Sequence, residues 1–131
     1  MNRYVLDSWA WLEYLNGTEK GVEVEAYLRK GEIFTNIVAV TEIVSKTQRM
    51  GKDANVALSA IGSLSRIVNL NVIFAKETGV LHAAMKKTRP NFSLGDAFTL
   101  NTAKNLRCKV LAGDPDFKGL KEAIMVTSSH P

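Results

Sequence analysis

The 131-residue sequence has one cysteine, three prolines and no long apolar run. A single cysteine, Cys108, excludes a disulfide within the chain, so folding has to rest on a hydrophobic core. The hydrophobic content of 46% is enough for such a core. No run of 18 apolar residues is present, so no membrane-spanning helix is expected. The first residues resemble a strand rather than a secretory leader, which predicts a cytoplasmic protein.

Charge is distributed unevenly along the chain. Residues 1–45 carry four Lys/Arg and seven Asp/Glu, whereas residues 46–131 carry thirteen and six. A basic C-terminal two-thirds is compatible with nucleic-acid binding, but an ordinary basic surface explains it equally well. The basic residues are scattered and do not alternate with aromatic ones, so charge alone does not decide between these two interpretations.

Apolar and β-rich segments alternate with helix-like segments along the whole sequence, which is short enough to form one domain over residues 1–131. Strands are predicted at Arg3–Leu6, Glu32–Asn36, Ile67–Phe74, Lys109–Ala112 and Ala123–Val126. Helices are predicted at Trp9–Leu15, Thr18–Lys30, Val38–Met50, Asp53–Arg66, Lys76–Lys87 and Ser93–Asn105. This alternation predicts an α/β fold with a mainly parallel central sheet of about five strands flanked by helices.

Five acidic residues follow the predicted strands or lie near the starts of predicted helices: Asp7, Glu42, Asp96, Asp114 and Asp116. Each has a local explanation. Asp7 can cap a helix, Glu42 can be a solvated residue of a helix face, and Asp96 can belong to a capping box. Asp114 and Asp116 lie in a Gly-Asp-Pro-Asp stretch that is an ordinary turn sequence.

The positions of these acids relative to the strands favour a shared role. The carboxyl ends of parallel strands meet at one edge of a sheet, where ligands of open α/β sheets bind. Several carboxylates in one place repel each other unless protons or cations compensate, and Mg²⁺ or Mn²⁺ is the natural oxygen-binding cation. An acidic cluster on a basic chain therefore suggests a metal-dependent enzyme that acts on a polyanion.

Four short motifs in order along the chain resemble those of PIN-domain proteins, and in particular the small VapC-type toxin ribonucleases. They are Val5-Leu-Asp-Ser-Trp9, Thr41-Glu42, Ser93-Leu-Gly-Asp-Ala97 and Asp114-Pro-Asp-Phe117. The resemblance covers nearly the whole chain. One departure is Ala112, where the family often has threonine two residues before the fourth acid.

The resemblance implies a three-layer PIN domain that hydrolyses phosphodiester bonds of RNA with Mg²⁺ or Mn²⁺. The catalytic residues would be Asp7, Glu42, Asp96 and Asp114. The implied metal ligands are Asp7, Asp96, Asp114 and Asp116, and the implied nucleophile is metal-activated water. The resemblance also implies the toxin of a type II toxin–antitoxin system, with a cognate antitoxin and a homodimeric assembly.

Further residues are expected to contact substrate or partner. Arg49, Lys52 and Lys118 are predicted to hold RNA phosphates at the rim of the cleft. The helix after strand one carries more aromatic residues than one buried face needs, so Trp11 and Tyr14 are predicted at a partner interface, with core packing as the alternative. The two histidines, at positions 82 and 130, have no evident catalytic partner.

Other functions remain open at this point. A housekeeping RNA-processing nuclease of the same fold would carry the same acids. A non-catalytic RNA-binding or interaction module is the next alternative, with Ala112 as its only support. Phosphoaspartate chemistry at Asp7 is a distant alternative, because no suitably placed lysine partner is evident.

Overall fold

A computed structural model of the protein describes residues 2–126, so His130 lies outside the described part. Its strands are β1 Asn2–Leu6, β2 Gly31–Asn36, β3 Arg66–Val68, β4 Lys109–Ala112 and β5 Ala123–Met125. Its helices are α1 Ser8–Leu15, α2 Glu19–Lys30, α3 Ile37–Arg49, α4 Ala54–Leu64, α5 Val72–Lys86 and α6 Leu94–Leu106. A short 3-10 turn, Pro115–Phe117, follows β4. None of these helices combines the length and apolarity that a membrane crossing requires.

The five strands form one sheet in the order β3-β2-β1-β4-β5, and every neighbouring pair is parallel. The chain builds outward from β1 to β3 and then returns to place β4 on the other side of β1. The strand order therefore reverses between β1 and β4, and the crevice at the carboxyl ends of these two strands is where such sheets bind ligands. The predicted α/β class and five-stranded parallel sheet are confirmed.

Helices cover both faces of the sheet and give three layers. Leu6 of β1 belongs to a buried cluster with residues of α1 to α4, whereas its neighbour Val5 belongs to a second cluster with residues of α6. This alternation follows from the period of two along a strand. Both strand faces are buried at Tyr4-Val5-Leu6, which explains the apolar second half of β1. Ala112 is fully buried in the second cluster.

The third strand is much shorter than its sequence predicted. The predicted strand Ile67–Phe74 was wrong beyond Val68, because α5 already begins at Val72. The side chain of Asn71 accepts a hydrogen bond from the backbone N–H of Phe74 at 2.9 Å and so caps this helix. The apolar residues that resembled a strand are therefore the first turn of a helix.

The aromatic residues of α1 are mostly core. Trp11 is fully buried, and its indole N–H donates to Thr35 Oγ1 at 2.9 Å, so the predicted interface role for Trp11 was wrong. Tyr14 is half-buried and packs edge-on against Trp11, with ring centroids 6.1 Å apart. Helix α1 contacts both α2 and α3, which explains why it needs apolar side chains on more than one face.

Candidate active site

Asp7 is both a helix cap and part of the acidic group. It follows β1 directly and lies at the N-cap of α1, where its Oδ1 accepts the backbone N–H of Ala10 at 2.8 Å. An N-cap carboxylate satisfies one of the free N–H groups at a helix start. The same bond fixes the direction of the Asp7 side chain at the carboxyl edge of the sheet.

The other acids are held by local hydrogen bonds in a similar way. Ser93 and Asp96 form a reciprocal capping box, with both side chain–backbone distances 3.0 Å. Asp114 Oδ1 accepts the backbone N–H of Asp116 at 2.8 Å and opens the turn after β4. The capping and turn hydrogen bonds that the sequence suggested for these acids are therefore present. They hold the carboxylates in position and are compatible with a shared site.

Four of the acids line a single cavity of about 240 Å³ at the point where the strand order reverses. Asp7 and Asp114 come from the ends of β1 and β4, Glu42 from the second turn of α3, and Asp96 from the first turn of α6. The remaining lining residues are Ser8, Trp9, Lys46, Asn91, Ser93, Gly95 and Thr99. Four acids that are distant in sequence therefore lie together at one edge of the sheet, as the sequence predicted.

A divalent cation fits the outer part of this site. Asp96, Asp114 and Asp116 each offer a carboxylate oxygen, and the three atoms lie within 4.8 Å of one another. Hard oxygen donors at this spacing suit a cation such as Mg²⁺ or Mn²⁺, which needs only one or two protein carboxylates and keeps several waters. Asp7 lies in the same cavity but does not belong to this set of three.

The deepest carboxyl group has a strongly shifted acidity. Burial, together with the negative charges of Asp96, Glu42 and Asp114, raises the pKa of Asp7 to about 7, although the hydrogen bond from the Ala10 N–H lowers it. At neutral pH this group is therefore partly protonated unless a cation is close. A buried acid with a shifted pKa in a cleft is a mark of a functional site.

The acids around Asp7 respond to the same environment. Burial and the charge of Asp96 raise the pKa of Glu42, while Lys46 lowers it. Burial raises the pKa of Asp96, and the negative charges of Asp114 and Asp116 raise it too. Its hydrogen bonds with Ser93 lower the pKa but do not cancel the rise. Partial desolvation and Asp114 raise the pKa of Asp116. The cluster thus carries excess negative charge that a cation would relieve.

The basic residues predicted at the rim do not line this cavity. Arg49 is the last residue of α3, and its Nε donates weakly to Ser45 O at 3.4 Å. Lys52 Nζ donates to Asn16 Oδ1 at 2.8 Å, beside a separate groove between α1 and α4. Lys118 is exposed just after the turn that carries Asp116.

Other basic residues take the positions near the acids. Lys46, one helical turn after Glu42, is the one base among the described residues that line the cavity. Arg89 Nη1 donates to the backbone oxygen of Asp116 at 2.6 Å, and the charges of Arg89 and Lys86 lower the pKa of that acid. The four-residue spacing from Glu42 was a usable sequence signal for Lys46. Nothing local marked Arg89, which is 27 residues from its partner.

The loop before α6 is also held by a histidine that the sequence left without a role. His82 Nε2 lies 3.0 Å from the backbone oxygen of Phe92. The ring of Phe92 packs against Phe117 with centroids 5.4 Å apart. The α5–α6 loop is thus joined both to His82 and to the loop that carries two of the acids.

Comparisons with solved structures show the same architecture elsewhere. A toxin–antitoxin complex from Klebsiella pneumoniae contains a chain with TM-score 0.72 and 15% identity, covering 95% of this chain and 98% of that one. VapC20 of Mycobacterium tuberculosis, a toxin that cleaves the sarcin-ricin loop, gives TM-score 0.73 and 12% identity over 98% and 99%. A chain of VapBC2 from Rickettsia felis, solved bound to a DNA fragment from its promoter, has a TM-score of 0.71 and 12% identity. The match covers 94% of this chain and 96% of that one.

Sequence comparisons add a family but no individual relative. No curated protein matches the chain. The sequence model of the PIN domain matches residues 4–123, from within β1 to the first residue of β5, and so includes all five acids. With this match over nearly its whole length, the chain belongs to the PIN domain family.

Proposed function

We propose that this chain is a metal-dependent endoribonuclease, and that it is the toxin of a toxin–antitoxin pair. The observation that carries the proposal is the convergence of Asp7, Glu42, Asp96 and Asp114 on one cavity at the switch point of the sheet. Among the described residues, no cysteine or histidine lines the cavity, and its two serines are engaged: Ser8 with the Glu42 carboxylate and Ser93 in the capping box of Asp96. The site therefore favours hydrolysis that depends on carboxylates and a cation.

Each carboxylate has a distinct task in this proposal. Asp96, Asp114 and Asp116 hold the cation, because their oxygens lie within 4.8 Å of one another. Asp7 shares the cation from the floor of the cavity, and a bound cation would keep this carboxyl group, whose pKa is otherwise about 7, in its ionised form. Glu42 approaches Asp96 from α3 and orders water in the cavity. Magnesium or manganese, when bound, would lower the pKa of water and neutralise charge on the scissile phosphate.

The substrate class rests on charge and on family. The chain is basic overall, with a net charge of +4, although its cleft is acidic. A polyanion attracted to such a surface needs a cation to enter this cleft, which fits phosphodiester hydrolysis better than simple binding. The toxin from Mycobacterium tuberculosis that cleaves the sarcin-ricin loop shares the fold, and it supports RNA as the substrate.

The proposal can be tested by cleavage of labelled RNA, both single-stranded and structured, in Mg²⁺, in Mn²⁺ and in EDTA. Cleavage should require the metal. Replacing a direct ligand, Asp96→Asn, should lower the rate at least about 100-fold, since even outer partners of metal ligands are worth 10–100-fold. The matched control is Asp53→Asn, which changes the exposed N-cap acid of α4, outside the cavity.

Three results would contradict the proposal. One is cleavage that survives EDTA. Another is an Asp96→Asn variant as active as the wild type. The third is a folded wild type that binds RNA without cutting any substrate, which would favour a non-catalytic binding module.

The toxin assignment is tested separately from the chemistry. Several solved neighbours are toxin–antitoxin complexes, some of them bound to DNA, which supports a cognate antitoxin for this chain. Expression of the chain alone should stop growth, and co-expression of the adjacent small reading frame should restore it. An Asp96→Asn variant should be harmless in both cases. Growth that is unaffected by an active ribonuclease would favour a housekeeping role in RNA processing.

A homodimer is part of the same proposal. Analytical ultracentrifugation of the purified chain at micromolar concentration should give a mass near twice 14.4 kDa. A monomer at that concentration would remove the dimer from the proposal and leave the chemistry untouched.

A further inference from the structure

Gly95 occupies a helical position that does not itself require glycine. It lies in the first turn of α6, between Ser93 and Asp96, and its backbone is not in the left-handed region. Alanine is a better helix former than glycine, so local helix stability favours a side chain at this position. The reason for a glycine has to come from what lies beside it.

The space beside Gly95 is filled by the carboxylate of Glu42. A β-carbon at position 95 would lie 2.6 Å from Glu42 Oε2, 3.0 Å from Oε1 and 3.1 Å from Cδ. Contact between carbon and oxygen atoms needs more room than this, so an alanine and the present Glu42 side chain exclude each other. A β-carbon at the helical glycines Gly62 or Gly79 would meet nothing within 4 Å, and one at Gly21 would meet backbone atoms of Glu13 rather than an acidic side chain.

We propose that Gly95 is a positioning residue: its missing side chain leaves the space through which Glu42 reaches the cavity beside Asp96. Glu42 comes from α3, whereas Gly95 and Asp96 come from α6, and the two helices contact each other. The atoms that would clash are at the far end of a flexible side chain. A β-carbon would therefore turn the carboxylate out of the cavity without moving either helix.

The inference rests on the proposed function, since it assigns Glu42 a working position in that site. It adds a residue with no ionisable group and no hydrogen-bonding side chain. Three residues of the Ser-Leu-Gly-Asp segment thus have separate roles. Ser93 caps the helix, and Asp96 belongs to the proposed cation site. Gly95 leaves room for the Glu42 carboxylate from the neighbouring helix.

The test is Gly95→Ala beside Gly79→Ala, which adds the same methyl group to α5 in open space. We expect Gly95→Ala to lower RNA cleavage at least about 10-fold and to weaken Mn²⁺ binding, measured by calorimetry. Its melting temperature should be no lower than that of the wild type. Gly79→Ala should match the wild type in all three measurements.

A double-mutant cycle connects the effect to Glu42. In a Glu42→Ala background no carboxylate remains to be displaced, so adding Gly95→Ala should change the residual cleavage less than twofold. Full activity of the single variant Gly95→Ala would overturn the inference. So would a loss in the Glu42→Ala background as large as in the wild type, because the methyl group would then act on something else.

A crystal structure of Gly95→Ala separates this inference from the proposed function. Displacement of the Glu42 carboxylate from residue 95, with both helices in place, supports the inference whether or not the protein cuts RNA. A carboxylate that stays against residue 95 overturns it. Failure of the wild type to cleave any RNA or to bind Mn²⁺ would count against the proposed function alone.

Discussion

The two sides of the acidic cavity hold their carboxylates by different means. The inner acids, Asp7 and Glu42, come from the side of α1 and α3, and Asp7 is only 6% exposed. The loop acids, Asp114 and Asp116, lie after β4 and are fixed by one backbone N–H bond and by the side chain of Arg89. Packing thus places the inner acids at a desolvation cost, whereas the loop acids are held by a tether.

Asp96 connects the two sides. Its charge raises the pKa of Asp7 and Glu42, and its carboxylate lies within 4.8 Å of those of Asp114 and Asp116. A cation at this point would relieve the repulsion on the inner side and order the loop on the outer side. We therefore expect substitutions of the inner acids to change the folding stability strongly. Substitutions of the loop acids should act mainly on metal binding.

The largest expected effect is on metal-free stability, through Asp7. The unfolded chain releases this proton near pH 3.8 and the folded chain near pH 7, so between these values the unfolded state binds fewer protons. Stability must therefore fall as the pH rises through this window and stay low above it. The loss from this one group is on the order of 4 kcal/mol, at 1.36 kcal/mol for each pKa unit. Asp7→Asn should remove it and still cap α1.

This effect is measured by urea unfolding in EDTA at pH 4.5 and pH 8. The variant should gain stability over the wild type at pH 8 and much less at pH 4.5. Asp53→Asn, at the exposed cap of α4, should show no such difference between the two pH values. A wild type as stable as Asp7→Asn at pH 8 would mean that burial of Asp7 carries no electrostatic cost.

Activity should separate the two sides next. Asp7→Asn should lower kcat/KM in Mn²⁺ at least about 100-fold, although it stabilises the fold. Asp116→Asn should lower it only about 10-fold, because Asp116 lies at the edge of the site and does not line the cavity. Comparable losses in the two variants would show that activity depends on Asp116 as strongly as on Asp7.

The fold and the convergence of the acids could both be predicted from the sequence, and for the same physical reason. Parallel strands bring their carboxyl ends to one edge, so residues that follow strands meet wherever the loops are short. Asp7 and Asp114 needed no further information. The end of β3 could not be predicted in the same way, because Val72 and Ile73 have strand-like composition although they follow the Asn71 cap and begin α5.

The basic residues were harder to predict because their positions depend on the direction of a helix in space. Helix α3 begins directly after β2, and Glu42 and Lys46 in its middle line the cavity. Lys46 is one turn beyond Glu42 and still faces the cavity, whereas Arg49 is about 10 Å along the axis from Glu42. Which of two nearby bases contacts substrate is thus set by packing angles that the local sequence does not contain.

Removing Arg89, which tethers the loop acids, should change metal binding and stability by an intermediate amount. Arg89→Gln should lose the charged hydrogen bond to Asp116 O and weaken Mn²⁺ binding about 10-fold, with a loss of stability of about 1 kcal/mol. Calorimetric titration of Mn²⁺ and urea unfolding measure the two quantities. Lys87→Gln, an exposed neighbour at the end of α5, is the charge-matched control. Unchanged Mn²⁺ affinity in Arg89→Gln would show that the loop acids need no tether.

The smallest effect concerns the open side of the cavity, where Lys46 is the candidate phosphate contact. RNA affinity is measured in the Asp96→Asn background, so that the substrate is not cut. Lys46→Ala should weaken binding about 3- to 5-fold, since an exposed charge contributes up to about 1 kcal/mol. It should also reduce the salt dependence of the binding constant by about 0.7, the share of one phosphate contact in single-stranded nucleic acid. Arg49→Ala should change neither quantity if position along α3 decides which base meets the substrate. The opposite pattern, with Arg49 carrying the salt dependence, would mean that RNA crosses the far end of α3 and reaches the acids from that side.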